Sequence, residues 1–137
     1  MEIDPRGPRF GAIITTLVLA VVLVTQSGWL LAVQAVVFAI GALAGLRYAP
    51  YGVIYRQLIR PRLGPPAYME AEAPPRFAQG VGVVFAAGGV AGFAAGSVIV
   101  GVVFTALALV AAFLNAAFNF CLGCQVYLFI KRIRSLA

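Results

Sequence analysis

Two long stretches without a charged residue constrain the fold more than any other feature of this chain. No Asp, Glu, Lys or Arg lies within residues 10–46 or within residues 77–130. A helix crosses the hydrocarbon core of a bilayer with about 20 apolar residues, at a rise of about 1.5 Å each. The first stretch has room for two short crossings, and the second has room for two with residues to spare. The sequence therefore predicts four transmembrane helices.

The overall composition agrees with this prediction. Only 10% of the residues are charged and 63% are hydrophobic, whereas an ordinary soluble domain has about 25% charged residues. We therefore expect an all-α membrane protein with no separate soluble part. The prediction is one four-helix transmembrane domain that covers residues 1–137.

The positions of the basic residues predict the orientation in the membrane. All ten lie in the N-terminal, middle or C-terminal segment, which four crossings place on one side. Because Lys and Arg favour the cytoplasmic side, we expect a multi-pass protein of the bacterial inner membrane with both termini in the cytoplasm. The expected partner of this charge is a bilayer with anionic headgroups, not nucleic acid. The predicted lipid-facing border consists of Arg56, Arg60, Arg62, Lys131, Arg132 and Arg134.

The chain repeats one pattern of residues. A Pro-Arg-Phe triplet precedes each uncharged stretch, and a tyrosine followed by two arginines comes near or just after its end, as in Tyr55 and Tyr127. The predicted units are residues 8–63 and 75–137, joined by a cytoplasmic loop at 64–74. Each unit is a helical hairpin followed by a short basic interfacial helix. Two crossings per unit leave both units in the same orientation, which makes a parallel repeat.

Proline and glycine add detail to these units. Pro50 ends the second crossing, and an interfacial helix is predicted for residues 51–60 with Pro61 as its end. Gly88, Gly92 and Gly96 recur every four residues, which permits close approach of two helix backbones. We favour packing inside the bundle over a dimer contact for this pattern.

Cys121 and Cys124 are the only cysteines, and they form a Cys-X-X-Cys motif. The motif lies close to Lys131, so we expect it on the cytoplasmic side, where a structural disulfide is disfavoured. A working dithiol is the preferred interpretation. Two small apolar core residues are the second. A metal site is the third, and it would need a second subunit because the chain has no histidine. No metal or cofactor is therefore expected.

The length of the last apolar stretch predicts a break near the cysteines. A straight helix over residues 98–133 would be about 54 Å long, far more than one crossing needs. We therefore expect a bend or break in this stretch, and Gly123 makes the Cys-Leu-Gly-Cys segment a good site for it. If Cys121 opens a new helix, the helix dipole favours its thiolate, while apolar burial opposes it. Cys121 is then the attacking thiol and Cys124 the resolving one.

Arg9 and Arg76 precede the first helix of each unit and have two interpretations. They are anchors whose guanidinium groups reach the lipid headgroups, which is the favoured one. Alternatively, they fold back to support a thiolate or to bind an anion beside the cysteines. No acid lies in either uncharged stretch, which argues against a proton-coupled pump.

Four segments together resemble an uncharacterised bacterial integral membrane family, domain of unknown function 4395. They are residues 4–10, residues 60–66, residues 74–79 and Cys121-Leu122-Gly123-Cys124. The resemblance implies a small bacterial membrane protein, with a thioredoxin-like protein or a sulfurtransferase as a partner. It implies no established activity.

Three functions follow from these observations. The first is thiol–disulfide exchange or sulfur relay at the cytoplasmic membrane surface. The second is a non-enzymatic accessory subunit of a larger membrane protein complex, with the cysteines as core residues. A weaker third is a channel or carrier for a small sulfur species. Whether the protein is an enzyme stays open at this point.

Overall fold

The computed structural model describes residues 2–136, and this part of the chain is all-α apart from one short strand pair. Met1 and Ala137, the ends of the predicted domain, lie outside the described residues. The order of elements is β1 (Glu2–Ile3), α1 (Arg6–Thr25), α2 (Gly28–Ala39), α3 (Pro50–Ile54), α4 (Arg60–Leu63), β2 (Glu70–Ala71), α5 (Ala73–Ala94), α6 (Val98–Phe118) and α7 (Leu122–Leu136). π-Helical segments follow α2 and α3, at Ile40–Ala44 and Tyr55–Ile59, and a 3₁₀ turn spans Leu46–Tyr48.

Three helices among the described residues are long and apolar enough to cross a membrane. They are α1, α5 and α6, with 20, 22 and 21 residues and mean hydropathies of 2.0, 1.6 and 2.5. The apolar helix formed by α2 and the π-helical segment after it, Gly28–Ala44, is shorter. The all-α class is confirmed, while the fourth crossing stays a prediction.

Serine residues begin the helices that follow the two uncharged turns. The Ser27 hydroxyl oxygen accepts a hydrogen bond from the Leu30 N–H at 3.2 Å, and Ser97 accepts one from the Val100 N–H at 3.3 Å. Each serine thereby satisfies a donor that the first turn of a helix leaves free. The turn after α1 begins at Gln26, which adopts a left-handed conformation with φ of 54°.

Two of the three most extensive helix contacts run between the two predicted units, and the third, between α5 and α6, lies within the second unit. α1 packs along α6, α2 packs along α5, and α5 also packs along α6. The predicted arrangement of two hairpins describes the order of the chain, but α1 contacts α6 far more than it contacts α2. The core where these helices meet consists of Leu19, Val22, Leu31, Phe38, Ala86 and Ala108.

Glycine on α5 sets the distance between α5 and α6. A Cβ built on Gly92 would lie 2.7 Å from the backbone nitrogen of Gly101, and one on Gly88 would lie 2.9 Å from the Phe104 ring. Only hydrogen at these positions allows the backbones to come so close. Packing inside the bundle is therefore confirmed for Gly88 and Gly92. Gly96 instead forms the turn after α5, with φ of 84°.

The interfacial helix of the first unit is longer than the sequence predicted. Instead of ending at Pro61, the helical backbone continues from α3 through the π-helical segment Tyr55–Ile59 and α4 to Leu63. A proline inside a helix removes one hydrogen bond and crowds the carbonyl four residues earlier. The wider π-helical segment Tyr55–Ile59 ends two residues before Pro61 and changes the position of that carbonyl, so the helix continues.

A short antiparallel strand pair, which the sequence did not predict, joins the N-terminus to the loop between the two units. β1 pairs with β2, with Glu2 opposite Ala71 and Ile3 opposite Glu70. Directly after β2, the buried carboxylate of Glu72 accepts a hydrogen bond from the Leu46 N–H at 3.0 Å. The loop between the two units is therefore attached both to the N-terminus and to the chain after α2.

Candidate dithiol site

The two cysteines lie where α6 ends and α7 begins. α6 stops at Phe118, and Asn119 takes a left-handed conformation with φ of 54°. The predicted break is therefore present. It covers residues 119–121 and ends at Cys121, the first residue of the Cys-Leu-Gly-Cys segment. Gly123 lies inside α7, one residue after its start. An asparagine is a common residue for this left-handed C-terminal position because its short side chain tolerates positive φ.

Cys121 and Cys124 form a disulfide, with Cα atoms 5.1 Å apart. Cys121 also caps α7: its carbonyl oxygen accepts from the Gln125 N–H, and its Sγ accepts from the Cys124 N–H, both at 3.1 Å. The sulfur occupies the place that a serine or aspartate oxygen takes in an ordinary N-cap. Both cysteines are half-buried and neither belongs to the core. The expectation that Cys121 opens a new helix is confirmed.

This position has a chemical consequence for the reduced form. The free N–H groups of the first turn and the positive end of the α7 dipole lie on the side of Cys121. Both favour a thiolate over a thiol at that sulfur. Cys124 is the third residue of α7, and its own N–H donates to the Cys121 Sγ, so this donor also favours the Cys121 thiolate. The geometry thus distinguishes the two sulfurs.

The start of α7 is fixed against the first turns of α5. A Cβ built on Gly123 would lie 2.5 Å from the Cβ and 2.6 Å from the Cα of Ala78. The rings of Phe77 and Tyr127 pack beside this contact, with centroids 5.6 Å apart. The middle residue of the Cys-Leu-Gly-Cys motif is therefore a contact point, which holds the disulfide at a defined place on the bundle.

The first predicted unit has the same ring pair without the sulfur. Phe10 and Tyr55 lie with centroids 5.8 Å apart and planes at 46°, against 45° for the second pair. The residue before α3, at the place of Cys121, is Ala49, which has no side-chain acceptor for the helix. The matched positions agree with the repeat, whose boundaries at 8–63 and 75–137 stay a prediction.

Arg9 and Arg76 each join their own helix to the end of a helix in the other unit. Arg9 on α1 donates from Nε to the carbonyl oxygen of Ala116 in α6, at 3.2 Å. Arg76 on α5 donates to the carbonyl oxygens of Ala42 and Leu43 after α2, at 2.7 and 2.8 Å. Basic side chains favour helix C-termini because the last carbonyls lack partners and the dipole is negative there. Their support of a thiolate or anion stays a prediction.

A comparison with known protein families shows which family the chain belongs to. The family model described as Domain of unknown function (DUF4395) matches residues 3–132. The chain belongs to this family. No curated protein and no solved structure matches it. The family description names no activity, so the function of this DUF4395 member must come from its own residues. Within residues 2–136, no cluster of three or more His, Cys, Asp or Glu side chains is placed to hold a metal ion.

The predicted basic border divides into two groups in the structure. Arg56 and Arg60 make local contacts: Arg56 donates to the carbonyl oxygen of Arg47, and Arg60 lies 3.8 Å from a carboxylate oxygen of Asp4. Arg62, Lys131, Arg132 and Arg134 are exposed on α4 and α7. Contact of this border with lipid headgroups remains a prediction.

Asp4 organises the N-terminus, a role that the sequence did not reveal. Its buried carboxylate accepts from the backbone and side chain of Arg6, at 2.9 to 3.3 Å, and from the Tyr55 hydroxyl at 2.9 Å. Burial raises the pKa of this carboxyl, but the hydrogen bonds from Arg6 and Tyr55 outweigh it and hold the pKa below its ordinary value. The Tyr55 pKa is raised by burial and by its bond to Asp4.

Gln34 is the second polar residue that sequence reasoning missed. Its side chain on α2 is fully buried, and its Oε1 accepts from the Tyr51 hydroxyl at 2.7 Å. Its Nε2 has no hydrogen-bond partner within residues 2–136. An amide inside an otherwise apolar helix is the sequence signal that could have identified this link, since such amides bond to a neighbouring segment.

Proposed function

We propose that this protein is a membrane-embedded dithiol protein that exchanges electrons or sulfur with a soluble partner at the cytoplasmic face. The placement of the Cys121–Cys124 pair carries the proposal. The two sulfurs are close enough to form a disulfide at the start of α7, and both cysteines are half-buried and outside the core, which supports access by an incoming thiol. A pair of small core residues would instead lie among the buried side chains of the bundle.

In the exchange reaction, a thiolate of the partner attacks the Sγ of one cysteine. The S–S bond breaks, a mixed disulfide forms, and the other cysteine leaves as a thiolate. A second thiol of the partner then attacks the mixed disulfide, so the partner becomes oxidised and the pair becomes a dithiol, with two electrons transferred. A thioredoxin-like protein with its own dithiol fits this role.

Sulfur relay would use the reduced pair. The Cys121 thiolate attacks the terminal sulfur of a donor persulfide, such as that of a sulfurtransferase, and the donor leaves as a thiolate. Cys121 then carries a persulfide that a further acceptor thiol can receive. The helix N-terminus that favours the Cys121 thiolate supports this residue as the sulfur acceptor in the relay. In the exchange reaction it supports Cys121 as the leaving thiolate when the pair is reduced, and as the attacking thiolate in the reverse direction.

The membrane placement forms part of the proposal. Gly28–Ala44 has 17 residues, and a helix of that length spans about 25 Å, near the lower limit for a crossing. With α1, α5 and α6 it makes four crossings, and both termini then lie on the same side. The uncharged turns at Ser27 and Ser97 and the basic residues at the opposite ends support a cytoplasmic location for the termini.

A thiol-alkylation titration of the protein in native membranes tests the proposal. After reduction, the wild type, Cys121→Ser and Cys124→Ser variants are alkylated across a pH series, and the modified cysteine is identified by mass. We expect the thiol of Cys121 to react at lower pH than that of Cys124, and the wild-type pair to close and reopen reversibly with a thiol reagent. Two thiols that stay inert would contradict the proposal and favour the accessory-subunit function.

A trapping experiment separates the two reactions. The partner is a thioredoxin-like protein whose resolving cysteine is replaced by serine and whose remaining cysteine is paired with an exchangeable thiol reagent. In the Cys124→Ser variant, the Cys121 thiolate attacks the partner sulfur of this disulfide, and the reagent leaves as a thiolate. With both resolving cysteines absent, the mixed disulfide between Cys121 and the partner should accumulate. The Cys121→Ser variant is the matched control and should accumulate less. Treatment of the Cys124→Ser variant with inorganic polysulfide should add one sulfur to Cys121 if the protein relays sulfur. Failure of both variants to form either adduct would exclude both reactions.

A further inference from the structure

A partly enclosed cavity lies in the first unit, on the side of the bundle where α1 begins. Its volume is about 280 Å³, at the lower end of the range for small-molecule sites. The start of α1, the helical segment from Pro50 to Arg60 and the first turns of α5 surround it. Neither cysteine lines the cavity, so a ligand proposed for it does not depend on the proposed redox function.

The two units pack their interfacial helices differently. In the second unit, Gly123 lets α7 approach the backbone of α5 at Ala78. In the first unit, the corresponding pair is reversed: the small residue Gly11 is on α1, and Tyr51 is on α3, with its Cβ 3.6 Å from a Cβ built on Gly11. Gly11 and Tyr51 both line the cavity, which lies beside this contact.

The walls of the cavity are largely apolar and carry a few polar groups. Gly11 and Val37 contribute apolar wall, while Thr15, Tyr51 and Gln79 contribute a hydroxyl, a phenol and an amide. The Tyr51 hydroxyl donates to Gln34, which leaves its oxygen lone pairs as acceptors. Apolar walls with a small number of placed polar groups are typical of sites that bind organic molecules.

The charged lining has an excess of arginine. Arg47, Arg56 and Arg60 line the cavity together with Glu2 and Asp4. The Asp4 carboxylate already has Arg6 as its closest ion partner, at 3.0 Å. Arg56 uses Nη2 for the carbonyl oxygen of Arg47, and the Arg47 guanidinium lies over the Tyr48 ring, 5.6 Å from its centroid. Each guanidinium has five N–H donors, so donors remain for an anion.

We propose that this cavity binds an anionic amphiphile, with a phosphate or carboxylate group on Arg47 and Arg56 and an apolar part between α1, α2 and α3. The arginine fork suits the planar or tetrahedral oxygens of such a group. The limited volume suits one apolar chain segment, and the apolar walls exclude a site for a free hydrated anion. Gln79 and Thr15 offer hydrogen bonds to the part of the molecule near the headgroup.

The test uses purified protein in mild detergent and native mass spectrometry, with dodecyl phosphate as the probe. Dodecanol and inorganic phosphate, the two halves of the probe, are titrated in parallel. We expect one retained molecule of dodecyl phosphate per chain, no retained dodecanol, and at least about tenfold weaker retention of phosphate, since each half lacks one set of contacts. Equal retention of dodecanol would overturn the anionic site, and equal retention of phosphate would overturn the amphiphile.

Matched variants locate the site. Arg56→Gln should weaken dodecyl phosphate binding by about tenfold or more, because a charge-assisted hydrogen bond is lost, while Arg62→Gln on exposed α4 should not. Val37→Phe fills the wall and should reduce binding, while Val36→Phe on the exposed side of α2 should not. Circular dichroism checks that each variant folds. If Val37→Phe does not fold, the comparison of Arg56→Gln with Arg62→Gln still tests the site. Equal binding by Arg56→Gln and Arg62→Gln would refute the site.

Competition by phosphatidylglycerol identifies the natural source of the ligand. A bilayer lipid that displaces dodecyl phosphate at equal stoichiometry assigns the site to a lipid headgroup with part of one chain. A lipid that does not displace it assigns the site to a free single-chain amphiphile. Both results retain the proposed chemistry. If the lipid binds at this cavity, its direct retention should be about tenfold weaker in the Arg56→Gln variant than in the wild type.

Discussion

The contact between Gly123 and Ala78 gives the sharpest prediction, because the direction and the size of the effect both follow from the geometry. In Gly123→Ala, the new Cβ would lie 2.5 Å from the Cβ and 2.6 Å from the Cα of Ala78. The Cα belongs to the α5 backbone and cannot rotate away, so α7 must shift. Overpacking of this kind costs about 1–3 kcal/mol, whereas alanine in place of glycine in a helix gains at most about 1 kcal/mol.

The expected net result is a loss of about 1–2 kcal/mol in the docking of α7 on α5. That loss raises the open population about 5–30-fold. Hydrogen exchange of the α7 amides in detergent, resolved by mass spectrometry, measures it directly. Alkylation of the reduced Cys124 thiol should accelerate in parallel, since the start of α7 moves away from α5.

Two further variants control this experiment. Gly11→Ala introduces the same methyl group at the corresponding contact of the first unit, where the nearest atom is the Tyr51 Cβ at 3.6 Å, an ordinary contact. It should leave exchange unchanged or slower. Ala78→Gly in the Gly123→Ala background removes the closer of the two clashing atoms and should restore part of the protection. Exchange in Gly123→Ala at the wild-type rate, or equal acceleration in Gly11→Ala, would refute the reasoning.

Three other predictions concern the polar links of the bundle, each measured as the free energy of unfolding in mixed micelles. Tyr51→Phe leaves both ends of the buried Gln34 amide without a partner and should cost about 1–3 kcal/mol. Arg76→Met removes two hydrogen bonds to carbonyls at the end of the α2 helix and should destabilise by about 1–3 kcal/mol, while Arg62→Met should have little effect. The Asp4 pKa lies below its ordinary value of 3.8, so the stabilisation that its ionised carboxylate gives the folded state is complete above pH 3.8. This stabilisation should disappear as the pH falls through the folded-state pKa. An equal loss of unfolding free energy at acid pH in Asp4→Asn would contradict the prediction.

Local signals in the sequence were sufficient for the helices and for the place of the cysteines. The uncharged stretches predicted the long apolar helices, and the turn near Ser27 was found where serine begins α2. The excess length of the last stretch predicted a break, and α7 begins directly after Cys121. Each of these features depends on residues within one or two turns, which a linear pattern records.

The boundaries of helices were harder to predict where the residue types are compatible with more than one backbone conformation. Both asparagine and glycine can end a helix; in this chain Asn119 takes the left-handed conformation, while Gly123 lies inside α7 against Ala78. Pro61 can end a helix or be accommodated by a π turn, and the structure accommodates it. In the first case the relevant contact is between residues far apart in sequence. In the second case the outcome depends on whether the preceding turn is α-helical or the wider π-helical form.

Long-range polar contacts were beyond a single sequence for the same reason. Arg9 has no local feature that points to the carbonyl oxygen of Ala116, and Asp4 has none that points to the Tyr55 hydroxyl. These pairs meet because α1 packs on α6 and on the helix that contains Tyr55. A guanidinium or carboxylate takes whichever free partner packing places within reach, and that placement is a property of the assembled bundle.

The sequence by itself determined that the chain is helical, apolar enough for a membrane, and equipped with one dithiol near a basic C-terminal helix. Hydropathy and residue spacing are properties of short segments, so they can be determined from the sequence without knowledge of the fold. The tertiary structure alone decided that the two units exchange arginine contacts, that Gly123 packs against α5 beside the disulfide, and that Tyr51 lines a cavity in the first unit. Those outcomes depend on which surfaces meet, and steric fit between distant residues selects them.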